Sequence, residues 1–226
     1  MLRRFTELRA NTLFKRIGEK MSISVNRFHS PFIDENTYII IDDKSGDAAV
    51  IDPGIYSDET ASILEGHNLR YILLTHSHGD HIKDTLKYKE HYPEAQICVN
   101  KDEAEFLMNA ELNGTAHMPM ENLNIKADVL TDSGMTLKLG DETIEFIDTP
   151  GHSPGGQCIK IGSILFSGDT LFYMSVGATH FVGGDWDALK KSITDKLFTL
   201  SDDVRVYPGH GPETSIGYEK RANPFV

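Results

Sequence analysis

LTHSHGDHI, residues Leu74 to Ile82, gathers three of the chain's ten histidines and an aspartate into six consecutive positions. Packing alone seldom collects histidines this way, because the side chain fills a core poorly. His76 and His78 are two apart, so in an extended chain both imidazoles point to the same side, whereas a metal helix of HExxH type spaces its histidines by four. The preceding YILL, Tyr71 to Leu74, has the length and composition of a buried strand, and Gly79 permits a sharp turn after it. The cluster therefore sits at the mouth of a strand. Neutral imidazole and carboxylate are ligands that zinc, iron and manganese take, and a strand-end loop can aim several of them into one cavity.

Three further strand ends finish in a candidate ligand flanked by glycine: DTPGHSPGG offers His152, LFSGDTLF offers Asp169 and YPGHGP offers His210. With His76, His78, Asp80 and His81 the set is seven, more than one tetrahedral or five-coordinate ion can use. Two divalent metal ions sharing a carboxylate fit that number, and Asp169 is the natural bridge. Zinc is the first expectation, with iron or manganese also compatible. Asp80 and Asp169 are the expected catalytic carboxylates. Asp52, in VIDPG, also ends a strand; it is either a partner that orients a ligand histidine or an ordinary turn aspartate before Pro53.

Around these motifs the chain reads as short strands and helices. ISVNRF, NTYIIID, DAAVIDP and RYILLTH are strand-like, and SDETASILEGHN is a helix capped by Ser57 or Asp58. Helical spacing continues from Asp80 to His91, AQICV is a strand, and KDEAEFLMNAEL is a helix with acidic residues in its first turn. Residues 113–129 have no clean period and read as a long loop over the site, with His117 as a surface histidine. Hairpins turn at Gly140-Asp141 and at Gly162-Ser163. DWDALKKSITDKLFTL carries Leu189, Ile193, Leu197 and Leu200 on one helical stripe, and VRVYPGHG is the last strand. The expected class is α+β, two sheets packed together with helices outside.

At 226 residues the chain can bury a substantial core. Lys and Arg number 22 against 34 Asp and Glu, a net charge of −12, which weighs against a nucleic-acid partner. The two cysteines, Cys98 and Cys158, lie in apolar strand-like runs without metal or CxxC spacing, so they read as buried free thiols in a reducing, cytoplasmic setting. No apolar run is long enough to span a bilayer. Residues 1–21 are basic and loosely amphipathic and read as an added segment before a domain over 22–226.

The segments THSHGDH, TPGHSPG, SGDTLF and YPGHGPETSIGYEKRANPF, in this order, resemble the metallo-β-lactamase superfamily, and within it the glyoxalase II-like hydrolases of the short bacterial type. The resemblance implies an αβ/βα sandwich of two mixed sheets, with the site at one edge. It implies one metal on His76, His78 and His152, a second on Asp80, His81 and His210, and Asp169 touching both. The implied reaction is hydrolysis of an S-acyl small thiol, a small-molecule thioester or ester. Two departures bear on the thiol. Larger glyoxalase II enzymes add a helical C-terminal domain that binds glutathione, whereas this chain ends sixteen residues after His210. After Gly177, where relatives usually place a basic and then an acidic side chain, stand Ala178 and His180. His180, Tyr218, Lys220 and Arg221 are the candidates to contact substrate. A persulfide dioxygenase with a single iron, or a hydrolase of another ester class, is the competing reading. An RNA-processing nuclease is disfavoured by the acidic charge. A β-lactamase is disfavoured because the common zinc classes need a cysteine or a different ligand where Asp169 stands.

Overall fold

The computed structural model describes residues 22–30 and 33–226; residues 1–21, set apart above, lie outside the described residues. The first half forms β1 (Ile23–His29), β2 (Asn36–Asp42), β3 (Asp47–Ile51), α1 (Asp58–Leu64), β4 (Asn68–Leu73), α2 (Gly79–Ile82), α3 (Thr85–His91), β5 (Gln96–Asn100), α4 (Ala104–Leu107) and β6 (Val129–Thr131). These strands make a six-stranded sheet in sequential order, antiparallel from β1 to β3 and parallel from β3 to β6. The helices occupy the crossovers that parallel pairing requires.

The second half forms β7 (Thr136–Leu139), β8 (Glu142–Asp148), β9 (Gln157–Ile161), β10 (Ile164–Gly168), a small hairpin of β11 (Leu171–Phe172) and β12 (Ser175–Val176), α5 (Trp186–Asp195), β13 (Arg205–Pro208), β14 (Thr214–Ser215) and α6 (Ile216–Ala222). Its six-stranded sheet runs β14-β13-β10-β9-β8-β7, with β10 and β13 parallel.

Alternation along the strands divides the apolar residues into three layers. Tyr38, Ile40, Ile51 and Leu73 of the first sheet meet Ile144, Phe146, Ile159 and Phe166 of the second. Ile39, Val50, Ile72 and Val99 face the other way, against Leu64, Ile82, Tyr88 and Leu107 of the helices. Leu165 and Val206 pack on Leu189 and Ile193 of α5 and Ile216 of α6. The result is the helix–sheet–sheet–helix sandwich expected from the sequence.

Both hairpins turn where expected, at Gly140 and Gly162, each in the left-handed region (φ +57° and +56°). Ser57 caps α1 with a full capping box. The helices are shorter than their periodicity suggests. The Asp80–His91 stretch breaks between α2 and α3, where Asp84 leaves the helical path: its N–H donates to the Pro53 carbonyl (2.8 Å) and its carboxylate accepts from the Tyr56 N–H (2.7 Å). KDEAEFLMNAEL becomes a 3-10 turn over Lys101–Glu103 followed by the short α4. α5 ends at Asp195, and Leu197 continues the apolar stripe from a 3-10 turn. The expected loop over residues 113–129 holds only a 3-10 turn, Thr115–His117, before β6 begins at Val129. Thr115 and Met118 press on Gly79, where a Cβ would come within 2.8 and 2.5 Å of them.

Candidate metal centre

Every motif histidine and aspartate lies past the C-terminal end of a strand, at one edge shared by the two sheets. His76 and His78 follow β4, and Asp80 and His81 ride on α2. His152 is in the loop between β8 and β9, Asp169 follows β10 and His210 follows β13. The first sheet thus contributes four of the seven groups and the second sheet three.

The side chains converge. His76, His78 and His152 bring ligand atoms within 4.8 Å of one another, and so do Asp80, His81 and His210. Asp169 stands between the two groups: its oxygens are 3.5 Å from His152 Nε2, 3.3 Å from His81 Nε2 and 3.5 Å from His210 Nε2. Asp80 Oδ2 is 3.4 Å from His210 Nε2 and 3.8 Å from His81 Nε2. Gly209 makes the approach possible, since a Cβ there would fall 2.3 Å from Asp169 Oδ1 and 2.6 Å from His81 Cε1.

The outer nitrogens are taken. His81 Nδ1 donates to Asp52 Oδ2 (2.9 Å), His210 Nδ1 to the Asp34 carbonyl (3.0 Å) and His152 Nδ1 to the Ala178 carbonyl (2.6 Å). Each bond sets the tautomer that leaves Nε2 with a lone pair toward the interior. The consequence is chemical: the lone pairs of His81 Nε2 and His210 Nε2 face each other across 3.3 Å, an arrangement that calls for a cation between them. His76 Nε2 and Asp169 Oδ1 are buried without a hydrogen-bond partner. A buried polar atom left bare is costly, so the donor set fits divalent metal.

Electrostatics divide the donor set, lowering two of its imidazoles and raising two. Burial, joined by the nearby His81, His78 and His152, drives His76 well below the ordinary imidazole range. Burial and then His152 bring His78 down to about 4. Burial works against the charged form of His81 too, but Asp169, Asp80 and Asp52 outweigh it and raise His81 well above its usual value. His210 rises to about 10 because hydrogen bonds to Asp169 and Asp80 overcome its desolvation. Asp169 is held well below the usual carboxylate range by His81, against burial that would raise it.

Asp52 takes the orienting role, not that of a turn residue alone: besides His81, it accepts from Thr75 N–H (2.8 Å) and Thr75 Oγ1 (2.6 Å). Two buried carboxylates went unmarked in the motif reading. Glu35 is fully buried beside Thr37 and Gly54 and bridges the His210 backbone; burial raises its carboxyl well above the ordinary range. Glu103 is fully buried between the loops that carry His76, His78 and His152. Neither belongs to a ligand motif; Glu103 takes its partners from residues remote in sequence, and Glu35 is bonded by Thr37 two positions on.

Of the substrate candidates, His180 stands beside a ring that touches the donors, Tyr218 packs on Tyr173, and two are turned elsewhere. His180 is exposed, its ring 4.2 Å from that of Phe181, and Phe181 lies edge-on 4.9 Å from His78 and 5.6 Å from His152. Tyr218 stacks on Tyr173 at 5.4 Å, next to Phe172, whose ring is 5.9 Å from His210. Lys220 instead binds Asp202 Oδ1 (2.7 Å) and the Leu200 carbonyl (2.8 Å), and Arg221 lies 3.6 Å from Asp202 Oδ2. Asp202 precedes β13, whose other end leads to His210, so the expectation that these two cations receive an anionic substrate gives way to an ion pair at the far end of the strand. His117 is a surface residue paired with Glu111 (3.0 Å).

Comparison with known proteins follows the same outline. The metallo-beta-lactamase superfamily matches residues 31–210. Hydroxyacylglutathione hydrolase GloC of Haemophilus influenzae is 34% identical over 198 residues, covering 85% of this chain and 92% of its own. The crystal structure of BLEG-1 B3 metallo-beta-lactamase superposes with a TM-score of 0.82 at 32% identity, over 89% of this chain and 98% of that one. TTHA1623, solved in a di-iron-bound form, gives a TM-score of 0.76 at 28% identity, over 88% and 99% of the two chains.

Proposed function

This chain belongs to the metallo-beta-lactamase superfamily, and we propose that it is a metal-dependent hydrolase that cleaves the thioester of an S-acyl small thiol. The observation that carries the reading is the convergence of seven histidine and aspartate side chains from four strand ends, with inward lone pairs set by outward hydrogen bonds. The relative named hydroxyacylglutathione hydrolase supports the choice of a thioester.

In this reading His76, His78 and His152 would hold one divalent ion and Asp80, His81 and His210 a second, with Asp169 between the two groups able to serve both. Zinc bound there would lower the pKa of bound water to about 7 and polarise a carbonyl; the di-iron neighbour keeps iron in play beside zinc. The chain's own groups do the rest. Asp80 and Asp169 supply the negative charge that balances the ions. Asp52, Asp34 and Ala178 keep three imidazoles aimed, so no reorganisation accompanies the reaction. A thiolate leaves readily and needs little general acid. Phe181, Phe172 and the Tyr173–Tyr218 pair offer the substrate an aromatic rim rather than a cationic clamp.

The test is thiol release from S-D-lactoylglutathione by metal-loaded protein, with His78→Ala as control. Release that disappears in the variant supports the reading; full activity in His78→Ala sinks it. The likeness to BLEG-1 favours one second reading, opening of a β-lactam amide, whose nitrogen leaves less easily than sulfur. A chromogenic cephalosporin assayed alongside the thioester separates the two, and oxygen uptake with a persulfide identifies an iron dioxygenase.

A further inference from the structure

We propose that Glu103 is a positioning residue that governs metal retention at the position built from His76, His78 and His152 and leaves the position built from Asp80, His81 and His210 unaffected. The inference rests on the two-metal reading above. Glu103 is fully buried, and its hydrogen-bond partners are backbone and hydroxyl groups. One carboxylate oxygen accepts from the Ser77 N–H (3.0 Å) and from the Ser77 hydroxyl; the other accepts from the Gly155 N–H (2.9 Å). Ser77 stands between His76 and His78, and Gly155 is three residues past His152. A single side chain therefore ties together two loops that leave different sheets, and the three histidines concerned all lie within three residues of its anchor points.

A second observation, independent of those bonds, points the same way. A Cβ at Gly155 would come within 2.7 Å of the Glu103 backbone nitrogen and 2.8 Å of the Asp102 carbonyl carbon. The His152 loop is thus shaped to lie directly on Glu103. Two of the other donors are oriented by different groups: His81 by Asp52 and His210 by the Asp34 carbonyl. Losing Glu103 should therefore act on one metal position and not on the pair. Chemistry explains the choice of glutamate as well. Both oxygens must accept, and a glutamine at this place would set an amide NH2 against a backbone N–H.

The experiment loads wild type and Glu103→Gln with zinc, dialyses both against graded chelator, and measures bound metal by elemental analysis while circular dichroism follows the fold. The expected result is two equivalents in wild type, and in Glu103→Gln one equivalent held normally and one weakened about 10–100-fold, restored by excess zinc. Combining the change with His78→Ala should cost no further metal, whereas combining it with His210→Ala should weaken both positions. Equal weakening of both positions, or two unaltered equivalents, overturns the proposal. Should Glu103→Gln fail to fold, Ser77→Ala removes only the hydroxyl bond and must weaken the same single position by a smaller factor; no change there also overturns it. A wild type holding only one equivalent overturns the two-metal reading and this inference with it, a failure visible before any variant is made.

Discussion

Two of the three non-glycine residues with positive φ among the described residues, Asp34 (+60°) and Asp52 (+48°), are those that receive the Nδ1 protons of His210 and His81. Strain of this kind persists where the surroundings over-determine it, and here it sets the aim of two imidazoles. Asp52→Ala should therefore weaken metal binding about 10–100-fold in a chelator competition, with the fold retained. Gly209 is the opposite case, a position defined by what it lacks. Gly209→Ala drives a methyl into Asp169 and His81, and turnover should fall at least as far as in a variant missing one of those donors, as a steady-state assay on metal-loaded protein would read. The motif histidines were legible because each lies at a strand end in a short run that combines rare side chains with a glycine. Asp52 was legible in part, as a strand-end acid beside a proline. Glu35 and Glu103 were not, since an isolated glutamate in sequence looks the same whether it ends in solvent or beneath a metal loop.

Strands were easier to read than helices for a related reason. The period of two in β7 and β8, or the unbroken apolar run of β2, is imposed by the sheets themselves. Helix ends were decided by remote contacts such as Asp84 with Tyr56, which no window of local sequence contains. The same remoteness governs the joint between β2 and the β7–β8 hairpin. Asp42, buried at the end of β2, accepts from the Ser22 hydroxyl, from Ser45 N–H (3.1 Å) and from Ser45 Oγ (2.6 Å), while Gly140 lies too close to it to carry a side chain. Burial would raise the Asp42 carboxyl, but the Ser22 and Ser45 bonds prevail and lower it below 3.8. A depressed carboxyl contributes stability above its unfolded value and loses it as pH falls through the folded one. Asp42→Asn should thus cost about 1–3 kcal/mol at neutral pH, and the gap to wild type should close in urea titrations as the pH drops below the ordinary aspartate range. At the rim, Phe181→Ala should raise KM on the order of tenfold, about 1.4 kcal/mol, with kcat little changed, because the ring touches the mouth and not the reacting centre.

The two sheets share one apolar interface, and at the edge where the seven donors converge they also meet through polar groups. Metal bound there links both halves of the molecule, and binding to the folded state alone adds stability by mass action. At free metal near 100 Kd the gain is about 2.7 kcal/mol, so chelation should lower Tm by about 5–10 °C in differential scanning calorimetry, reversibly on readdition. Among the described residues no helix is long and apolar enough to cross a membrane.

Cys98 and Cys158 are buried in the sheets, and burial pushes their thiols up to about 12 and about 11. Under the proposed thioester reading each turnover would liberate a mercaptan, so the protein would work amid nucleophilic sulfur and, when oxidants rise, amid its disulfides. With both of its cysteine thiols protonated and enclosed, such a protein offers those disulfides no thiolate for exchange.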